Sequence, residues 1–178
     1  SCLLIFGLPS EMRGGKLGAT KTMCRNLFLW DIEVDTSDFL QADDIHKVVN
    51  VPSAVQRGCV TDDAIEQFIG ADSQGRQGRY YRLAAEKFGL VVNDGNYSSL
   101  TTLGIKFTQL DSTQKINFLS TQMLGMPVFS AAISYLRSTP TDRADLRNWF
   151  LTQYPGSPVT AERRFSTFQK YLRVTGFI

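Results

Sequence analysis

Two stretches of the chain, residues 61–91 and 141–178, carry the same succession of helix, turn and helix. Each begins with apolar residues spaced along one helix face: Ile65, Phe68 and Ile69 in the first stretch, and Leu146, Trp149 and Phe150 in the second. A shift of 87 residues then aligns Arg76 with Arg163, Gln77 with Arg164 and Tyr81 with Phe168. Because the pattern recurs, we predict a repeated structural unit.

The first unit has clear start and stop signals. Thr61, followed by two acids, predicts a helix that ends at Gly70. A second helix is predicted from about Gln77 to Phe88, with a buried face formed by Tyr81, Ala84, Ala85 and Phe88. The stretch "LVVNDGNYSSL" then predicts two strands joined by a turn at Asp94-Gly95.

Helix, turn, helix and hairpin is the order of a winged helix. We therefore predict a mainly α fold with small β-hairpins, built from tandem winged-helix or helix-turn-helix units after an N-terminal α+β segment. In that segment, residues 2–7 predict a strand, and residues 36–51 predict one or two short helices that end at Pro52. The predicted divisions are residues 1–60, a winged-helix unit at 61–110, and a helical linker with a second helix-turn-helix unit and a truncated wing at 111–178.

The charge is divided unevenly along the chain. The net charge is +2, but residues 31–72 contain ten acids against Lys47 and Arg57, whereas residues 73–178 contain thirteen basic residues against six acids. Such a chain presents separate acidic and basic surfaces, so the small net charge does not describe its partner.

Arginine and glutamine are concentrated at the start of the second helix of the first unit, and Arg163 and Arg164 occupy the corresponding region of the second unit. Arginine binds the O6 and N7 atoms of guanine, glutamine binds adenine, and both residues can also hold phosphate. The predicted DNA-binding residues are Ser73, Gln74, Arg76, Gln77, Arg79, Tyr80 and Arg82, with Thr160, Arg163, Arg164 and Thr167 in the second unit; Arg13, Lys16 and Lys21 are predicted to contact the DNA backbone. The alternative is a solvated helix face. Gly75 and Gly78 would either allow backbone to approach a phosphate or shape the turn.

Other chemistries have weaker patterns. The segment "RGGKLGATK" lacks P-loop spacing, because Ser10 stands where the first glycine is needed and Leu17 replaces the required Ser or Thr. The acids of residues 31–72 predict a solvated or packing face. The sequence has three scattered cysteines and a single histidine, His46. This pattern argues against a disulfide framework and against a zinc site. For the sequence as a whole, we predict no catalytic centre, metal or cofactor and no membrane span. We also predict a reducing, cytoplasmic location.

The stretch "AIEQFIG…GRQGRYYRLAAEKFGLV…NYSSLTTLG" resembles the winged-helix modules in the recognition regions of type II restriction endonucleases. "TAERRFSTFQKYLRVTGFI" is similar to a second such module, with Tyr171 where the pattern often has Trp. The resemblance covers about residues 61–178. It implies recognition of double-stranded DNA, with cleavage, and any Mg²⁺ it requires, supplied by a separate nuclease domain. A winged-helix transcription regulator and a protein-interaction scaffold are the alternatives.

Overall fold

The structure, a computed structural model, describes residues 34–71, 76–139 and 143–178. These residues are mainly helical, with one small antiparallel two-stranded sheet, which confirms the predicted fold class at this level. After a 3₁₀ turn at Thr36–Asp38, the elements are α1 Ile45–Gln56, α2 Asp62–Ile69, α3 Gln77–Lys87, β1 Val91–Asp94, β2 Tyr97–Leu100, α4 Thr102–Thr108, α5 Ser112–Met123, α6 Pro127–Ser138, α7 Arg143–Gln153 and α8 Pro158–Val174. The strand predicted at residues 2–7 lies outside the described residues.

Several helix boundaries follow the local signals in the sequence. The side chain of Thr61 accepts a hydrogen bond from the backbone N–H of Ala64, and Gly70 ends α2 in the left-handed conformation. Thr101 caps α4 by accepting from the N–H of Gly104 at 2.9 Å. Pro127 begins α6, as predicted.

The prediction that the helix before Pro52 ends there is wrong, because α1 continues through this residue to Gln56. Proline costs about 3 kcal/mol inside a helix. However, Val48, Val51, Ala54 and Val55 are buried around it, and burial of one valine contributes roughly 1.5–3 kcal/mol. The combined burial therefore outweighs the local cost of proline.

The hairpin differs from its prediction by one residue. Asp94 pairs with Tyr97, so the two turn residues are Gly95 and Asn96 instead of Asp94 and Gly95. Both have positive φ, 53° and 73°. A two-residue turn of this kind needs left-handed backbone at both positions, and glycine and asparagine adopt it most readily.

Helix α1 occupies the centre of the first half of the molecule. It packs against α2, α3, α4, β2 and α8, while α7 packs against α6 and α8. The core continues between the halves through stacked rings, with the Phe88 and Tyr171 centroids 6.3 Å apart. Residues on both sides of the divisions drawn at 60/61 and 110/111 therefore share one hydrophobic core.

The two predicted units match in burial. Ile65 and Ile69 of α2 are buried, as are Leu146 and Phe150 of α7. Phe68 and Trp149 are partly buried at the corresponding positions. Gly89 after α3 and Gly176 after α8 both have positive φ, 71° and 78°.

Candidate functional site

A cleft of about 390 Å³ lies between α3, α8 and the segment that precedes α1. Two helices whose residues align at a shift of 87 in the sequence thus contribute to one site. Its walls comprise Gln77, Tyr80 and Tyr81 from α3, Arg163, Arg164, Ser166, Thr167 and Lys170 from α8, and Gln41, Ala42 and Asp43 before α1.

Five of the predicted DNA-binding residues line this cleft: Gln77, Tyr80, Arg163, Arg164 and Thr167. Arg163 is exposed and Arg164 is partly exposed. Neither forms an ion pair within the described part of the chain. The structure therefore brings these five predicted residues, drawn from both units, together at one surface.

Other predicted residues lie beside the cleft or away from it. Arg76 lies just before α3 and Arg79 lies in its first turn. Both are exposed, but neither lines the cleft. Thr160 is part of the cap of α8, where its backbone N–H and its hydroxyl contact the hydroxyl of Ser157. Ser73, Gln74, Arg13, Lys16 and Lys21 lie outside the described residues.

Arg82 differs from its predicted role. Arg82 is only 8% exposed. Its guanidinium donates hydrogen bonds to Asp62 from Nε and Nη2, and to Glu86 from Nη1 at 2.8 Å. A guanidinium already bound by two carboxylates has little capacity left for a phosphate or a base. Arg82 therefore holds α3 against the start of α2, and it is not part of the exposed cationic surface.

Thr167 lines the cleft but offers it little hydrogen-bonding capacity. The residue is 5% exposed, and its hydroxyl points to the carbonyl of Arg163 at 3.5 Å. Its contribution is to the shape of the wall.

The N-terminus of α3 is occupied by a carboxylate of the protein itself. Glu66, a buried residue of α2, accepts a hydrogen bond from the N–H of Gly78 at 2.8 Å. An anion at this position is favourable because the first N–H groups of a helix have no partner within the helix. A phosphate would have to compete with Glu66 for this N–H, so the side chains of α3 are better placed than its backbone to contact a ligand.

Gly78 is explained by the crossing of two helices. A Cβ atom on this residue would lie 2.0 Å from the backbone oxygen of Asp62 and 2.9 Å from Cβ of Glu66. The absent side chain allows α2 and α3 to approach closely. Of the two interpretations of Gly78 drawn from the sequence, approach to a phosphate and shaping of the turn, neither describes this role; Gly75 is not described by the structure.

Asp43 connects the two helices that form the cleft. One carboxylate oxygen accepts from the hydroxyl of Tyr81 in α3 at 2.9 Å, and the other accepts from Nζ of Lys170 in α8 at 3.5 Å. Burial by itself raises the pKa of the Asp43 carboxyl. The hydrogen bond from Tyr81 and the charge of Lys170 together lower it by more, so the pKa lies below its ordinary value. Asp43 is therefore ionised at neutral pH.

Asp43 and Lys170 were missed as site residues by the sequence analysis. Lys170 lies seven residues after Arg163, which is about two helical turns, so the helical period was a usable signal for it. Asp43 gave no such signal, because its two partners lie 38 and 127 residues away in the sequence.

A second cleft, of about 520 Å³, adjoins the first. The two share Asp43, Gln77, Tyr81 and Lys170, and the second also includes Asp44, His46, Lys47, Gly70 and Val174. Within residues 34–71, 76–139 and 143–178, no three His, Cys, Asp or Glu side chains are grouped so that they could hold a metal ion.

None of the described helices is long and apolar enough to cross a membrane alone; α5 and α6 satisfy the length and composition criteria only as a pair, bent by 88°. No family model, no curated protein and no solved structure matches this chain.

Proposed function

We propose that this chain binds double-stranded DNA, and that the cleft between α3 and α8 is the centre of the contact surface. The observation that carries the proposal is the convergence of Gln77 and Tyr80 from α3 with Arg163 and Arg164 from α8 in one cleft. These side chains are among those that the sequence pattern assigned to the two aligned units.

The chemistry of the two walls is complementary. On α8, Arg163, Arg164 and Lys170 present positive charge along about two turns, roughly 10 Å. Such a row suits the phosphates of a duplex, whose charge dominates binding affinity. On α3, Gln77 occupies the first helical position, and residues at the N-terminal end of a recognition helix are those that reach base edges. A glutamine there can form two hydrogen bonds with adenine.

The arrangement of the first half supports a winged-helix interpretation. Helices α2 and α3 are followed by the β1–β2 hairpin. Helix α1 packs against α2, α3 and β2. The N–H of Ser98 in β2 also donates to the carbonyl of Val60 at 2.7 Å, so the connection between α1 and α2 runs beside the hairpin. We propose that α1 belongs to this unit together with α2, α3 and the hairpin.

The resemblance of residues 61–178 to recognition regions of type II restriction endonucleases supports a more specific role. We propose that the chain supplies target recognition, with cleavage carried out by a different domain. Under this proposal the described residues need no catalytic centre, because their task is to bind and discriminate among duplex sequences.

The test is a titration of a labelled mixed-sequence duplex with the protein at several salt concentrations, followed by fluorescence anisotropy. Each neutralised phosphate contributes about −0.9 to the slope of log K against log salt. With the cations of α8 and the exposed Arg76 and Arg79 engaged, we expect a slope between about −3 and −5. Absence of binding, or binding that does not depend on salt, would contradict the proposal.

A further inference from the structure

Among the described residues that line the cleft, Asp43 is the only acid. Its side chain is 60% exposed, and it faces a surface that also contains Arg163, Arg164 and Lys170. A carboxylate in a site for a polyanion repels the ligand, so its presence calls for a physical reason.

The hydrogen bond from the Tyr81 hydroxyl gives Asp43 a structural role, but that role needs an acceptor oxygen and not a negative charge. The ion pair with Lys170 is also a weak reason for the charge. The pair between Asp43 and Lys170 is long, at 3.5 Å, and the two side chains are 60% and 52% exposed. Exposed pairs of this kind contribute about 0–1 kcal/mol. The pair has a clearer effect on the ligand side: while Lys170 faces Asp43, part of the positive charge that α8 presents to the cleft is offset.

We infer that Asp43 is a specificity-determining residue that weakens sequence-independent DNA binding by offsetting the charge of Lys170 and repelling phosphates at the cleft. This inference rests on the proposed function. Sequence-independent affinity comes almost entirely from phosphate contacts. A carboxylate that reduces these contacts leaves discrimination to side chains that reach the bases, such as Gln77, because specificity is a difference between two affinities.

The experiment compares the wild-type protein with Asp43→Asn, using a mixed-sequence duplex of 20 base pairs in a salt titration. Asparagine keeps an oxygen that can accept from Tyr81, but it removes the charge. We expect Asp43→Asn to bind the mixed-sequence duplex roughly three- to tenfold more tightly at low salt, and the slope of log K against log salt to steepen by about 0.9, the value for one additional phosphate contact.

Asp38→Asn is the matched control. Asp38 also accepts a hydrogen bond from a lysine, Lys87, at 2.9 Å. Lys87 is the last residue of α3, about 15 Å along the helix from Gln77, and it does not line the cleft. Asp38→Asn therefore makes the same change of net charge and releases a lysine elsewhere, and we expect the salt slope to remain unchanged.

A second variant isolates Lys170. In a Lys170→Met background, Asp43→Asn should no longer steepen the slope, because the cation that it releases is missing. Thermal unfolding of each variant confirms that the folded protein is being compared.

The outcomes separate the two proposals. If the wild-type protein does not bind duplex DNA, the proposed function fails, and the inference fails with it. If the wild-type protein binds with the expected salt dependence, but Asp43→Asn fails to tighten binding or Asp38→Asn tightens it equally, only the inference is overturned.

Discussion

Replacement of both Arg163 and Arg164 by alanine is expected to weaken duplex DNA binding about a hundredfold, since loss of one good contact costs about 1–3 kcal/mol and each 1.4 kcal/mol is tenfold. Both side chains line the cleft and neither has an ion-pair partner among the described residues. The slope of log K against log salt should become shallower by about two contacts, roughly 1.8. Anisotropy titrations at several salt concentrations measure both quantities.

Replacement of both Arg137 and Arg173 by alanine is the matched control. It removes the same charge from exposed positions, one of them on α8 itself, yet neither residue lines the cleft. Its effect on affinity should be several-fold at most. Equal losses for the two double variants would mean that general positive charge, and not the cleft, determines binding.

Gly78→Ala is expected to lower the free energy of unfolding by about 3 kcal/mol, near the upper end of the usual cost of overpacking. The added Cβ would lie 2.0 Å from the backbone oxygen of Asp62, and backbone cannot rotate away as a flexible side chain can. Helices α2 and α3 would have to separate, which would also disturb the hydrogen bond from Gly78 to Glu66. Chemical denaturation monitored by circular dichroism measures the change.

Gly125→Ala provides the comparison. A Cβ on Gly125 would meet only the oxygen of Gln122, at 3.4 Å, which is an ordinary contact distance. Its effect on stability should stay within about 1 kcal/mol. If Gly78→Ala were as stable as Gly125→Ala, the close crossing of α2 and α3 would be incorrect.

Local chemistry explains which parts of the fold were predictable from the sequence. Thr61, Gly70 and Pro127 act on the backbone within a few residues, so the helix boundaries they predict are confirmed. The failure at Pro52 has a different origin. A rule about neighbouring backbone predicts a helix end there, whereas the apolar residues that keep α1 intact do so through contacts with distant segments.

The site shows the same division. The sequence pattern selected Gln77, Tyr80, Arg163 and Arg164, which lie in one cleft. Charge clustering alone could not distinguish the exposed arginines from Arg82. The decisive partner, Asp62, lies twenty residues before Arg82, and Glu86 alone, four residues after it, would form only an ordinary helical pair. Which cations remain exposed depends on the packing of α3 against α2.

The central claim is that side chains from α3 and α8 form one contact surface for duplex DNA. Backbone amide chemical shifts, followed by NMR while a duplex is added, test this claim most directly. We predict that the largest shift changes occur together in residues 76–80 and 160–170, at the same protein-to-DNA ratio and with the same salt dependence. Shift changes confined to one of these helices, or centred on surfaces away from both, would contradict it.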